Sequence, residues 1–222
     1  SLLLGTTRLI RDGNQQGKTM AIELHKGDLP ADLDFGTSVA VDTETLGLKP
    51  KRDRLCVVQL SSGDGNSPLV QFGRDGFNAP NLSALMTNPA VTKIFHFARF
   101  DIATMRQHLN ILCAPVYCTK IASKLVRTYT DRHGLKDLCR ELLKIDLSKQ
   151  QQSSDWGAEN LSKEQLEYAA GDVLYLHRLK DTLDGMLARE GRTHFANACF
   201  AYLPVRAELD LAGWSEEDIF AH

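Results

Sequence analysis

Short runs of apolar residues dominate the first half of the chain, and each run is bounded by polar or glycine-containing segments. Such runs are typical of buried strands. The predicted core strands cover residues 38–44, 55–61, 69–72, 91–97 and 116–118. The turn signal Gly63-Asp64-Gly65-Asn66 separates the second strand from the third, so we expect these two strands to form a hairpin.

The second half of the chain shows helical spacing instead. Leu135, Leu138 and Leu142 share one face of a predicted helix. Ser162 and Gln165 form a capping-box signature that opens the longest predicted helix. The predicted helices cover residues 81–86, 99–109, 119–126, 135–143, 162–187 and 216–220, the last with Ser215 as its N-cap. Strands that alternate with helices after one hairpin predict the α/β class, with a mixed sheet covered by helices.

The first residues of the chain fit this pattern poorly. Residues 1–20 contain three glycines and no sustained periodicity, which predicts a leader outside the core that need not be ordered. Ile22 and Leu24 alternate with charged residues, as in a short edge strand. We expect one domain over residues 21–222, with its core at about residues 37–190.

Composition narrows the class of protein. The chain has 222 residues, of which 43% are apolar and 24% charged, as in an ordinary globular protein. Every apolar run is shorter than the about 18 residues that a membrane span needs, so we expect a cytoplasmic protein. Five cysteines without a C-x-x-C pair favour free thiols over disulfides or a zinc site.

The net charge of -2 hides an uneven distribution. Residues 1–154 carry 20 basic and 15 acidic side chains, whereas residues 155–222 carry 6 and 13. A local basic surface can bind a phosphate backbone, although many basic faces are simply solvated. The charge therefore permits a nucleic-acid partner without requiring one.

Acidic residues occur at three positions where a carboxylate needs an explanation. Asp42 and Glu44 end the first core strand on one face, about 7 Å apart, where repulsion favours raised pKa values or a bound divalent cation. Asp101 follows a predicted strand, near a helix start. Asp172 lies in a largely apolar helix, one turn after Tyr168. A solvated strand end, a helix N-cap and a core tyrosine are the alternatives for Glu44, Asp101 and Tyr168.

These motifs, in this order, resemble the DEDD 3′-5′ exonucleases, and in particular the ribonuclease D branch. The matching blocks are Asp42-x-Glu44, then Asp101 after a strand, then Tyr168-x-x-x-Asp172. The resemblance implies a ribonuclease H-like fold, a five-stranded mixed sheet in which the second strand is antiparallel.

The resemblance covers about residues 37–185 and includes the segment 152–156 and the helix start at residues 134–135. Tyr168 stands four residues before the last acid of the motif, and Glu167 stands where the other branch has a histidine. This pattern resembles the DEDDy subtype. The chain ends about 35 residues after the last motif helix, so we expect no appended helical RNA-binding domain.

By this resemblance, the chain hydrolyses single-stranded RNA from its 3′ end and releases nucleoside 5′-monophosphates with two divalent cations, Mg²⁺ or Mn²⁺. Asp42 would bridge both cations. Glu44 and Asp172 would complete the first cation site, and Asp101 would hold the second cation largely through water. Tyr168 would orient the attacking water, since a phenol with an ordinary pKa of about 10 is a poor base at neutral pH.

Seven further residues are candidate substrate contacts. Leu46 and Phe100 could stack on or wedge against the terminal base. His96 could contact the terminal nucleotide, with a satisfied core histidine as its alternative, and Phe97 is expected in the core. The full set is Thr43, Leu46, Lys51, Arg52, His96, Arg99 and Phe100.

Three other functions compete with an exoribonuclease. They are a DEDDy exonuclease that acts on DNA ends, a catalytically silent nucleic-acid-binding module, and a phosphoacceptor domain modified at Asp42. The wide separation of the acidic motifs disfavours the phosphoacceptor, and the intact acids disfavour the silent module. The preferred metal, the physiological RNA and the oligomeric state stay open.

Overall fold

The computed structural model describes residues 7–14, 18–148, 150, 151 and 153–222. The strands within these ranges are β1 (Thr7–Asn14), β2 (Lys18–Lys26), β3 (Ser38–Thr45), β4 (Leu55–Ser61), β5 (Ser67–Gln71), β6 (Thr92–Phe95) and β7 (Val116–Cys118). They form one sheet in the order β1-β2-β5-β4-β3-β6-β7. β4 is antiparallel to β3 and β5, while β6 is parallel to β3 and β7. The predicted α/β class, the ribonuclease H-like five-stranded unit and its hairpin are confirmed.

Two strands precede this unit and widen the sheet. β1 pairs antiparallel with β2, and β2 pairs parallel with β5. The structure thus places residues 7–14 in the sheet, where the sequence predicted a leader, because ladder hydrogen bonds between backbones need no apolar periodicity. β2 has a partner on both sides and is not the predicted edge strand. Residues 1–6 and 15–17 of the predicted leader lie outside the described ranges.

Helices cover the two faces of the sheet. They are α1 (Pro80–Thr87), α2 (Ala98–Leu109), α3 (Thr119–Val126), α4 (Leu135–Leu138), α5 (Lys163–Val173), α6 (Leu176–Arg189) and α7 (Thr193–Leu209). α4 continues into a π-helical turn at Cys139–Leu143. α5 contributes Leu166 and Ala169 to a core with Val57 and Leu69 of the sheet. This packing sets α5 over β4, beside the acidic end of β3.

Two helix predictions need correction. The predicted helix over residues 162–187 is divided into α5 and α6, with Leu174 and Tyr175 between them. Apolar spacing could not reveal this break, because the residues on either side of it pack into one core. The predicted helix over residues 216–220 does not form. Arg99 donates to the backbone carbonyl of Ser215, and Arg206 donates to that of Trp214. These carbonyls, which lie just before the predicted helix, are therefore bonded to arginine side chains.

All five cysteines are free thiols, as the sequence predicted, and Cys199 is the exposed one. Among the described helices, none combines the length and the apolar character that crossing a bilayer demands.

Candidate active site

The acidic end of β3 faces α5. Asp42 and Glu44 lie two residues apart on one face of the strand, as the alternation of side chains requires. Asp172 lies in the last turn of α5. One carboxylate oxygen from each of these three residues lies within 4.8 Å of the other two. The structure therefore brings together three acids that are up to 130 residues apart in the sequence.

Asp101 approaches the same place from α2. Asp101 is 3% exposed, and its carboxylate accepts a hydrogen bond of 2.7 Å from the hydroxyl of Thr43 on β3. The N-cap of α2 is Phe97, so the N-cap alternative for Asp101 does not hold. Asp101 stands outside the group of three, but it is close enough to raise the pKa of Asp42 and of Glu44.

Tyr168 and Asp172 occupy one face of α5. The predicted capping box opens this helix, since the hydroxyl of Ser162 accepts from the amide of Gln165 at 3.2 Å and the Gln165 side chain accepts from the amide of Ser162 at 2.9 Å. Asp172 follows one turn further on, close enough to Tyr168 to raise the pKa of the phenol. The ring of Trp156 packs 6.0 Å from the Tyr168 ring and fixes its position.

Burial raises the pKa of every carboxyl group in this cluster, and repulsion between the groups adds to the effect for Asp42 and Glu44. The pKa of Glu44 rises to about 9, and those of Asp101 and Asp172 rise to about 7. Burial and the nearby acids also raise the pKa of Tyr168, so its hydroxyl keeps its proton at neutral pH. Without a cation, the cluster therefore retains protons that unpaired surface carboxyls would have lost.

The donor set fits a divalent cation with a preference for oxygen. Asp42, Glu44 and Asp172 supply only carboxylate oxygens, and no histidine or cysteine joins them in the described group. Mg²⁺ and Mn²⁺ favour such ligands, whereas zinc favours nitrogen and sulfur. A bound cation would also relieve the repulsion that raises these pKa values.

A cavity of about 830 Å³ opens at this cluster. This volume is near the upper end of the range of about 300–1,000 Å³ that is typical of small-ligand sites. Leu46, Leu48 and Phe100 give the walls apolar surface, and Lys120 and Lys136 bring positive charge. Within the described part of the chain, neither lysine has a carboxylate within 4 Å.

The sequence profile of a family described as 3′-5′ exonuclease matches residues 20–188. The chain belongs to this family. Among its relatives, the ribonuclease D of Acidiphilium cryptum is 37% identical over 154 residues, which are 69% of this chain and 39% of that protein. The ribonuclease D of Jannaschia sp. is 32% identical over 168 residues, 74% of this chain and 43% of that protein. This chain thus spans about two fifths of the length of these curated relatives.

Similar solved structures include chains of nearly the same length. Brucella melitensis NrnC is 60% identical, with a TM-score of 0.88, and the match covers 90% of this chain and 98% of that one. NrnC has also been solved with pGG and with Mg²⁺ bound. The RNase D of Escherichia coli shares the fold at 23% identity and a TM-score of 0.69, over 78% of this chain and 45% of that one.

Four of the seven predicted substrate contacts line the cavity. They are Thr43, Leu46, His96 and Phe100. The hydroxyl of Thr43 donates a hydrogen bond to Asp101, and the Nδ1 atom of His96 lies 2.9 Å from the hydroxyl of Thr119. Burial, together with Lys120, lowers the pKa of His96 to about 3, so this imidazole is neutral at physiological pH.

The other three predicted contacts lie outside the cavity lining. Arg52 is ion-paired with Asp53, at 2.6 Å, and Lys51 is exposed in the same loop. Arg99 is ion-paired with Asp210, at 2.5 Å. The sequence could show that these residues are basic and near the motifs, but not where their side chains point.

Phe97 is not a core residue, and that expectation was wrong. It is 46% exposed and has a φ of 70°, in the left-handed region that bulky residues rarely adopt. This conformation turns the chain from β6 into α2 and directs the ring outward, where the ammonium of Lys120 lies 4.2 Å from the ring centroid.

The sequence motifs missed several residues at the site. Gln59 on β4 donates to both Asp42 and Glu44, at 3.1 and 3.4 Å. Its place in an otherwise largely apolar run was a signal, since a buried amide that loses its hydrogen bonds costs about 1–3 kcal/mol. Lys120 and Lys136 entered the sequence analysis only as two of the 20 basic residues of the first 154. Ser153, Ser154, Asp155, Gly134 and Leu135, from segments that carried the resemblance, also line the cavity, while Gln152 lies outside the described residues.

Proposed function

We propose that this chain is a metal-dependent 3′-5′ exoribonuclease that hydrolyses single-stranded RNA ends to nucleoside 5′-monophosphates. The observation that carries this proposal is the meeting of Asp42, Glu44 and Asp172 at one end of the cavity, with Asp101 and Tyr168 beside them. The free thiols favour a reducing compartment, so we place this activity in the cytoplasm.

The carboxylates would hold two divalent cations. Asp42, Glu44 and Asp172 have the separation needed to share one cation, and buried Asp101 lies next to Asp42 for a second. When bound, the cations supply Lewis acidity to water and neutralise charge on the phosphodiester. Tyr168 retains its proton and lies beside Asp172, so its role would be to orient a water molecule rather than to deprotonate it.

The walls of the cavity favour a short single-stranded 3′ end. Leu46 and Phe100 offer apolar surface to bases, and Lys120 and Lys136 offer charge to phosphates. An intact duplex presents no splayed base to such a site. The names of the relatives, ribonuclease D, and the pGG bound to NrnC favour RNA over DNA and include very short RNA among the candidate substrates.

The test is a polarity assay on 5′-labelled strands. RNA and DNA of one sequence are incubated with Mg²⁺, with Mn²⁺ and with a chelator, alongside the dinucleotide pGG. We expect an RNA ladder that shortens from the 3′ end, no ladder with chelator, and conversion of pGG to mononucleotides.

Two variants give this assay its control. Asp42→Asn removes a charge from the cluster and should abolish the ladder. Asp75→Asn makes the same change at an exposed position between β5 and α1 and should leave the ladder intact. Cleavage of DNA alone would identify a DNA exonuclease instead, and cleavage that is insensitive to Asp42→Asn would remove the cluster from the reaction.

A further inference from the structure

Gln59 is a polar residue in a strand that is otherwise built for the core. All seven residues of β4 are buried, and the Gln59 side chain is fully enclosed. The antiparallel register sets Gln59 opposite Asp42 and Val57 opposite Glu44. Residues that lie opposite each other in an antiparallel pair point to the same side of the sheet. The strand register therefore places Gln59 among the carboxylates.

Each of the two N–H groups of the Gln59 carboxamide has one acceptor. The Nε2 atom donates to Oδ2 of Asp42 at 3.1 Å and to Oε1 of Glu44 at 3.4 Å. When the two acids are deprotonated, as cation binding requires, the opposite orientation of the amide would point its carbonyl oxygen at two carboxylates and is disfavoured. Each carboxylate keeps a second oxygen that Gln59 does not contact.

The other end of the carboxamide has no such partner. Among the described residues, no donor reaches the buried Oε1 atom of Gln59. Buried polar atoms are nearly always hydrogen-bonded, so the exception calls for a reason other than stability. An apolar side chain of the same length would fill this place in the core without an unpaired atom. Glutamine differs from such an apolar side chain in its two N–H donors, not in how well it packs.

We infer that Gln59 is a positioning residue that holds Asp42 and Glu44 in one arrangement before a divalent cation binds, and so increases the affinity for that cation. The inference rests on the proposed function, which gives these two acids their role as ligands. Two carboxylates on neighbouring positions of one strand face repel and would otherwise turn apart. Donors shared between them hold the ligands in place, and binding a cation then requires less rearrangement.

The test measures binding of Mn²⁺ to the substrate-free protein by calorimetry. Gln59→Met keeps the length of the side chain and removes both donors. We expect Mn²⁺ binding about 10- to 100-fold weaker than in the parent, the range found when partners of metal ligands are removed. In the RNA assay, the Mg²⁺ concentration for half-maximal rate should rise by a similar factor, whereas the rate at saturating Mg²⁺ should recover to near that of the parent.

Gln71 provides a matched control in the same sheet. It is a buried glutamine on β5 whose amide donates to the backbone carbonyl of Ala158, at 2.8 Å, and it contacts none of the acids. Gln71→Met therefore makes the same chemical change, and Mn²⁺ affinity should stay within about twofold of the parent. Equal losses in the two variants would show a general effect of a buried methionine and would overturn the inference.

If Gln59→Met does not fold, Gln59→Asn replaces it. Asparagine keeps the carboxamide but is one methylene shorter, so it cannot reach both acids, and we expect a loss of several-fold in Mn²⁺ affinity. Parental affinity in whichever variant folds would overturn the inference. Because the titration needs no RNA, a parent that binds Mn²⁺ but cleaves nothing would refute the proposed function while leaving the inference about Gln59 intact.

Discussion

Tyr168 and Asp172 show what one residue can reveal before a structure is known. A separation of four residues places two side chains on one face of a helix, and the proximity of the phenol to the carboxylate follows from that geometry. The same reasoning paired Asp42 with Glu44 along a strand. For each pair, the spacing within one element was sufficient to predict that the two side chains lie together.

Tyr168→Phe separates positioning from metal binding. The phenyl ring keeps its packing against Trp156, but the hydroxyl that contacts Asp172 is lost. We expect kcat on RNA to fall at least about tenfold while the affinity for Mn²⁺ stays close to that of the parent. Single-turnover kinetics and calorimetry measure the two quantities. Tyr175→Phe makes the same change outside the cavity lining and should leave kcat unaltered. An undiminished kcat in Tyr168→Phe would remove this hydroxyl from the reaction.

Other residues could not be assigned from the sequence, because their role depends on contacts between distant elements. Gln59 reaches the acids only through the register of β4 on β3. Phe97 looked like the end of an apolar strand, and only its positive φ turns it to the surface. Arg99 is close to Asp101 in the sequence, yet its guanidinium is ion-paired with Asp210, more than 100 residues later.

At the scale of elements, the carboxylate of Asp53 joins several parts of the loop between β3 and β4. Asp53 accepts from the amide of Lys49 at 2.9 Å and from Arg52 at 2.6 and 2.8 Å, and these donors lower its pKa to about 2. Gly47 passes directly over it, since a Cβ at this position would lie 2.3 Å from Oδ2 of Asp53. This close approach sets the positions of Leu46 and Leu48 at the cavity.

Gly47→Ala tests this arrangement. The added methyl group would displace Asp53 and, with it, the apolar wall beside the site. We expect KM for RNA to rise by about tenfold, since small displacements of positioning groups have effects of that size. Gly185→Ala is the control, because nothing lies within 4 Å of the new Cβ and alanine stabilises a helix by about 0.5–1 kcal/mol relative to glycine. An unchanged KM in Gly47→Ala would mean that the loop does not contact the substrate.

The existence of the elements was easier to predict than their limits. The hairpin of β4 and β5 followed from a glycine-rich turn, and the start of α5 followed from its capping box. The break at Tyr175 and the irregular segment after Trp214 depend on tertiary contacts. The pairing of β1 with β2 likewise uses backbone groups, which leave little trace in the order of side chains.

At the scale of the whole molecule, the acidic cluster makes stability depend on pH and on metal. The unfolded chain loses its carboxyl protons near pH 4, whereas the folded protein keeps protons on Asp101, Asp172 and Glu44 up to about pH 7 to 9. Unfolding therefore releases protons across this range. The free energy of unfolding of the metal-free protein falls as the pH rises through it.

Thermal melts with chelator at pH 6 and pH 9 measure how the stability of the metal-free protein depends on pH, which follows from the raised pKa values of the cluster. We expect a lower Tm at the higher pH and a larger gain from Mg²⁺ there, because a cation binds the deprotonated cluster. Asp42→Asn removes one source of repulsion and should flatten both responses. A metal-free Tm that is the same at both pH values would contradict the assigned titration of these acids.

The identity of the products is the most direct test of the proposed chemistry. A short RNA is digested with Mg²⁺ in water enriched in heavy oxygen, and all products are weighed by mass spectrometry, with Asp172→Asn in parallel. We expect nucleoside 5′-monophosphates that carry one heavy oxygen on the phosphate, shortened RNA that ends in an unlabelled 3′-hydroxyl, and no products from the variant. Nucleotides with a 3′-phosphate or a cyclic phosphate, or equal digestion by Asp172→Asn, would contradict hydrolysis by this cluster.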